Sequence, residues 1–146
     1  MQKNKDYGDG LKHCGLKNTK HRSQILEILE QSSQPIAAKE VYLKMKEKEI
    51  SVDLSTIYRT LETLAKKNLA TKLTISEDSR TLFEYNRMLH RHYLVCIGCK
   101  KILPINYCPL KRYEETLAKE TNYTILRHRL NIYGYCPECK EKGLAG

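Results

Sequence analysis

Two Cys-x-x-Cys pairs, Cys96–Cys99 and Cys136–Cys139, stand on either side of a stretch long enough to fold. Four thiolates are a complete tetrahedral zinc set. Any fold of the second half of the chain must therefore bring these two turns together. Gly98 relaxes the first turn and Pro137 stiffens the second. The competing readings are a redox pair and buried free thiols. A redox pair usually precedes a helix in a βαβ setting, and two separated pairs fit zinc better. With all four positions filled, no water or substrate site remains, so this zinc is structural rather than catalytic. Its expected role is to tie the carboxy-terminal strand to the strand at residues 93–96. The gap and its approach hold further donors that the zinc does not need: His90-x-His92 before the first pair and His128 before the second.

A length of 146 residues allows one ordinary domain or two small ones. One Phe, no Trp and ten Tyr point to aliphatic cores with tyrosines at their edges. No apolar run reaches the roughly 18 residues of a membrane span. The opening MQKNKDYGDG lacks the apolar segment of a secretory signal. The expected location is the cytoplasm, where thiols stay reduced and cysteines favour metal over disulfides. The net charge of +9 hints at a polyanionic partner. Its distribution weakens that hint. Residues 1–86 carry 15 Lys/Arg against 12 Asp/Glu, and residues 87–146 carry 11 against 5. A nucleic-acid claim must rest on a motif.

Along the chain, residues 1–10 read as a loose arm and Leu11–Gly15 as the start of a short helix. Thr19 is a candidate N-cap for a helix over Arg22–Glu30. Ser32–Pro35 breaks it, and a second helix is expected over about 37–48. Ser55 is a candidate cap for a third, Thr56–Lys67, with Ile57, Leu61 and Leu64 as its apolar stripe. Leu69–Ile75 and Arg80–Tyr85, joined by a turn at residues 76–79, read as a β-hairpin. Three helices followed by a hairpin describe a winged helix-turn-helix, although a plain three-helix unit looks the same up to residue 68. Short strands are expected at residues 93–96 and 102–105. A helix follows from Pro109 to about Glu120 with Leu110, Tyr113 and Leu117 inward, and then a strand within residues 123–135. The expected class is α+β. A winged-helix domain over residues 1–86 is followed by a hinge at 87–91 and a small zinc-stapled α/β domain over 92–146. The second domain is too small to be secure alone, so zinc and a partner subunit are both expected to contribute.

The third helix opens Ser55-Thr56-Ile57-Tyr58-Arg59-Thr60. Its hydroxyls and amino-terminal amides suit phosphate. Tyr58 can touch base edges or a thymine methyl, and Arg59 can reach phosphate or guanine. The plain alternative is a helix with an ordinary polar face.

These residues together resemble the ferric uptake regulator superfamily. The resemblance rests on Gly15-Leu16-Lys17-x-Thr19-x-x-Arg22, Ser55-Thr56-Ile57-Tyr58-Arg59-Thr60-Leu61, His90-x-His92, Cys96-x-x-Cys99, His128-Arg129-Leu130-x-Ile132-Tyr133-Gly134 and Cys136-x-x-Cys139. It spans residues 11–140, and the combination is far more specific than any piece. It implies a homodimeric, metal-responsive transcriptional regulator, usually a repressor, and not an enzyme. An amino-terminal winged helix would bind an AT-rich palindromic operator on double-stranded DNA, and the carboxy-terminal domains would join sheets. The implied DNA-contacting residues are Lys17, Thr19, Arg22, Ser55, Thr56, Tyr58 and Arg59. Two-fold symmetry of dimer and operator fits the helix-turn-helix rule.

The sensing sites are where the chain departs from that pattern. His90 and His92 match the family's ligand pair in the dimerisation domain, as does His128. The helical glutamate of that set is Lys111 here, and Cys108 lies one turn earlier on the same helix face. The proposed regulatory set is therefore His90, His92, Cys108 and His128, with Glu84, Glu114 and Glu115 as further candidates. A second family site, between the domains, has lost its usual donors at Pro35, Arg91 and Tyr93 and keeps Glu84, so it is either dismantled or rebuilt from Glu84 with whichever of His90 and His92 is free. Pro104 replaces the aspartate of the peroxide-sensing branch, which disfavours peroxide sensing. One thiolate with imidazoles suits zinc, cobalt or nickel better than magnesium or calcium. Zinc is the leading sensed metal, with iron, manganese or nickel as alternatives. Cofactors are then one structural Zn2+ per subunit and a second regulatory divalent metal. Two other function classes compete. A zinc enzyme would need an open metal with a nearby general base. A zinc-stapled interaction module would have no DNA role.

Overall fold

The structure is a computed structural model that describes residues 7–75, 79–87, 91–105 and 107–143. The chain divides into two compact units, Met1–Arg87 and Met88–Gly146. Arg87 belongs to the first, where its guanidinium donates to the Glu30 carbonyl at 2.5 Å.

The first unit contains α1 (Tyr7–His13), α2 (Lys20–Gln31), α3 (Ala38–Glu47), α4 (Leu54–Lys66) and an antiparallel hairpin of β1 (Ala70–Ile75) and β2 (Arg80–Tyr85). Helical spacing puts Ile25 and Leu29 of α2 and Ile57, Leu61 and Leu64 of α4 on inward faces, all buried. The chain's one phenylalanine, Phe83, fastens the hairpin to this core. It exchanges backbone hydrogen bonds with Ile36, just before α3, at 2.9 and 2.8 Å. The helix begins earlier than the sequence reading put it, because Tyr7 packs on the core and Leu11 is buried. Gly15 ends α1 in the left-handed region at φ 77°. The Leu16 N–H then reaches the Leu11 carbonyl at 2.8 Å, a Schellman closure that only glycine adopts without strain. Thr19 caps α2, its side chain accepting from the Arg22 N–H at 3.2 Å. Asp53, rather than Ser55, caps α4. Its carboxylate accepts from the Thr56 N–H at 2.7 Å, and Ser55 merely donates to that carboxylate. Those hydrogen bonds, the Thr56 bond foremost, hold the Asp53 carboxyl below its usual pKa.

The second unit is built on β3 (His92–Cys96), the middle strand of a sheet with β4 (Ile102–Ile105) antiparallel on one side and β5 (Asn131–Gly134) parallel on the other. Helices α5 (Lys111–Thr121) and α6 (Pro137–Glu141) complete it. The strand expected within residues 123–135 is β5, over Asn131–Gly134. One difference from the sequence reading matters. The helix expected to turn Tyr113 inward buries no residue, and Tyr113 is 62% exposed. The second unit thus lacks the aliphatic interior of the first.

Candidate metal centre

Both turns of the Cys-x-x-Cys pairs hang from β3 and β5. β3 ends at Cys96, and the turn that follows supplies Cys99. β5 ends at Gly134, paired with Cys96, so the parallel ladder delivers Cys136 and Cys139 to the same place. Pro137 starts α6, and the Cys136 sulfur caps it by accepting from the Cys139 N–H. The four sulfurs lie within 4.8 Å of one another. Cys96 and Cys139 are 3.6 Å apart, and Cys99 and Cys136 are 3.7 Å apart. A tetrahedron with Zn–S arms of about 2.3 Å has edges of about 3.8 Å. No pair approaches the roughly 2.05 Å of a disulfide, and all four cysteines are free. The donors therefore fit a structural zinc.

Electrostatics agree with a cation there. Backbone N–H groups of Cys136 and Cys99 donate to the Cys96 sulfur and lower its pKa to about 6. Burial, with hydrogen bonding to the other sulfurs, raises Cys139 to about 12. The amide donors favour the thiolate at Cys96, whereas burial opposes it at Cys139. A bound dication removes that conflict by deprotonating its ligands.

At the other end of β3 lies a second group. His92 opens the strand and is buried. Cys108 comes from the turn between β4 and α5. His128 comes from the extended segment before β5. Their ligand atoms form a near-equilateral triangle. His92 Nε2 is 3.4 Å from Cys108 Sγ, Cys108 Sγ is 3.3 Å from His128 Nε2, and the two Nε2 atoms are 3.0 Å apart. The imidazoles stack with centroids 4.8 Å apart. Three such donors outline one face of a tetrahedron around a metal with arms of about 2.0–2.3 Å. His128 Nδ1 meets the Glu114 carboxylate on α5.

Of the other residues named from sequence, His90 lies outside the described residues. Glu115 is exposed on α5 and joins no cluster among the described residues. Glu84 is buried in β2, in the first unit. On α4, Tyr58 is 48% exposed and Arg59 is exposed, with its guanidinium donating to the Thr56 hydroxyl at 3.3 Å. Lys17 is exposed and its carbonyl accepts from Arg22 at 2.9 Å, so Arg22 and Thr19 shape the turn into α2. Asp53 was missed from sequence as the cap of the candidate reading helix. The signal was an acid three residues before Thr56, ahead of the apolar stripe.

Between the two metal groups, β3 carries Leu94, which pairs with Leu103 of β4 and Ile132 of β5. These three residues are 39%, 58% and 45% exposed and form an uncovered apolar stripe across the sheet.

A profile of the ferric uptake regulator family matches residues 13–133. The peroxide-responsive repressor PerR of Staphylococcus epidermidis is 32% identical over 91% of this chain and 87% of its own length. The ferric uptake regulation protein of Legionella pneumophila is 32% identical over 89% of this chain and 96% of its own. Among solved structures, the Vibrio cholerae ferric uptake regulator superposes with a TM-score of 0.80 at 30% identity, covering 90% of this chain and all of that one.

Proposed function

The chain belongs to the ferric uptake regulator family, and from that premise we propose that it is a zinc-sensing repressor of metal-homeostasis genes. Members of this family are metal-responsive transcriptional regulators, not enzymes. The narrower reading is ours. As a homodimer in the cytoplasm, the protein binds an AT-rich palindrome through α4 and the hairpin. The observation that carries it is the cluster of His92, Cys108 and His128, separate from the four-cysteine site.

The donor set supports zinc. A thiolate with two imidazoles prefers a borderline-soft divalent ion over magnesium, calcium or manganese. Pro104 stands where the peroxide-sensing branch would need an aspartate, and the family's inter-domain site has lost its usual donors at Pro35, Arg91 and Tyr93. His90, two residues before His92, is the candidate fourth ligand. A bound divalent ion would supply a fixed crosslink between β3, the α5 turn and the segment before β5. His92 also stands five residues after Arg87 in sequence, close to the boundary between the two units. The DNA reading rests on the exposed Tyr58 and Arg59 of α4. The dimer reading rests on the stripe of Leu94, Leu103 and Ile132 and on the uncovered face of α5.

The deciding measurement is operator binding by metal-free protein titrated with zinc, iron(II), manganese or nickel, with bound metal counted per subunit. Zinc should act at the lowest free concentration, with two ions bound per subunit. Iron or manganese acting at lower free concentration would overturn the zinc assignment. A flat dependence on salt would count against DNA binding, because phosphate contacts release counterions.

A further inference from the structure

Glu114 is one of the two helical carboxylates that the sequence offers as ligands, and its position argues for a different role. It stands in the first turn of α5 and its carboxylate meets His128 Nδ1. The other nitrogen of that ring, Nε2, is the atom that faces Cys108 at 3.3 Å and His92 at 3.0 Å. The two nitrogens of an imidazole point to different sides, and the hydrogen bond made by one decides which is free to bind metal. A carboxylate can only accept from Nδ1–H, and that tautomer leaves the Nε2 lone pair for the cluster.

We infer that Glu114 is a positioning residue, which holds His128 as an Nε2 donor and stays outside the metal's inner sphere. This rests on reading the cluster as a metal site. A second observation supports it. His128 lies in a segment, residues 122–130, that has no regular secondary structure, so no ladder fixes its ring. α5 buries none of its residues, yet Glu114 is drawn in to 28% side-chain exposure while Glu115 and Glu120 face solvent. Glu114 is thus the brace that a donor on an unladdered segment requires. Outer partners of this kind typically set metal affinity by about 10- to 100-fold.

The test uses the full chain preloaded with one zinc per subunit and titrated with Co2+ alone. Wild type should give a tetrahedral d–d spectrum and a thiolate-to-cobalt band that vanishes in Cys108→Ser. Glu114→Ala should keep the band positions and weaken cobalt binding by about 10- to 100-fold. Glu114→Gln, which retains an acceptor oxygen, should fall between. In metal-free protein, nitrogen NMR should report the Nδ1–H tautomer of His128 in wild type and a shift toward Nε2–H in Glu114→Ala. Unchanged affinity and tautomer in Glu114→Ala would overturn the positioning role. An altered d–d pattern would overturn it too, by making Glu114 an inner ligand. A wild type without any Cys108-dependent band would overturn the metal-site reading beneath it.

Discussion

Thr19 belongs both to the sequence motif tied to DNA and to the fold, and the fold explains it first. Its hydroxyl caps α2 through the Arg22 N–H. Replacing it with alanine should cost about 1 kcal/mol in the denaturation of the first unit. His92 and Cys108 carry the opposite expectation. Alanine at both should leave the helical circular dichroism unchanged and abolish the metal dependence of operator binding. Retained metal dependence in that double variant would remove the sensing site from this cluster. Residue identities made much of this site legible, because His92, His128 and the four cysteines announce themselves by donor type and spacing. Cys108 was legible as a donor three residues before Lys111, where the resembling family has its glutamate, but it lies in the turn before α5 and not on the helix face the sequence suggested. The role of Glu114 was not legible. Sequence offered Glu114 and Glu115 equally, and only the direction of α5 relative to His128 separates them.

Helices α2 and α4 were legible to within a few residues because each buries a continuous apolar stripe within its own unit. The pattern in α5 was also amphipathic, yet Tyr113 of its expected inward face stays exposed and Leu110 and Leu117 are only partly buried. An apolar period says that a face needs covering, not that the same chain covers it. What fastens α5 here is polar: the Cys108 turn before it and the Glu114–His128 contact. Hydrogen exchange should therefore be fast across 111–121 in metal-free protein at low concentration. It should slow markedly when the second metal is added. Equal protection in both states would mean that α5 is held by something other than the cluster. β5 lies inside the span expected for a strand, where the alternation from Arg129 to Gly134 is clearest, and its ladder to β3 covers Asn131–Gly134.

On the scale of the molecule, the two units differ in what holds them. The first has a connected aliphatic core of residues such as Leu11, Ile25, Val41 and Leu61, each fully buried. The second buries mainly β3 residues, Ile102 and Cys139. Below a certain core size, metal binding supplies folding free energy directly. A strong chelator should therefore split thermal unfolding into two transitions, the lower one belonging to residues 88–146. Cys96→Ala should reproduce the lower transition without chelator. A single cooperative transition in chelator would show that the second unit stands without metal. The sequence could announce the staple but not this asymmetry, because the exposure of α5 and of Leu94, Leu103 and Ile132 emerges only with the sheet order.

That stripe crosses the middle of the strand whose two ends carry the two donor groups. His92 and Cys96 are four residues apart on β3, about 13 Å at strand spacing. A second copy seated on Leu94, Leu103 and Ile132 would meet a surface pinned at one end by a permanent ion and at the other by an exchangeable one. Linkage then requires that whatever tightens metal binding on assembly also tightens assembly on metal binding, by the same factor. Sedimentation of serial dilutions should give a lower dissociation constant with the second metal than without it, and equal constants would dissolve the link. The abundance of the chain and the supply of the ion would then be interchangeable inputs to one equilibrium, so a cell with few copies would answer to metal later than a cell with many.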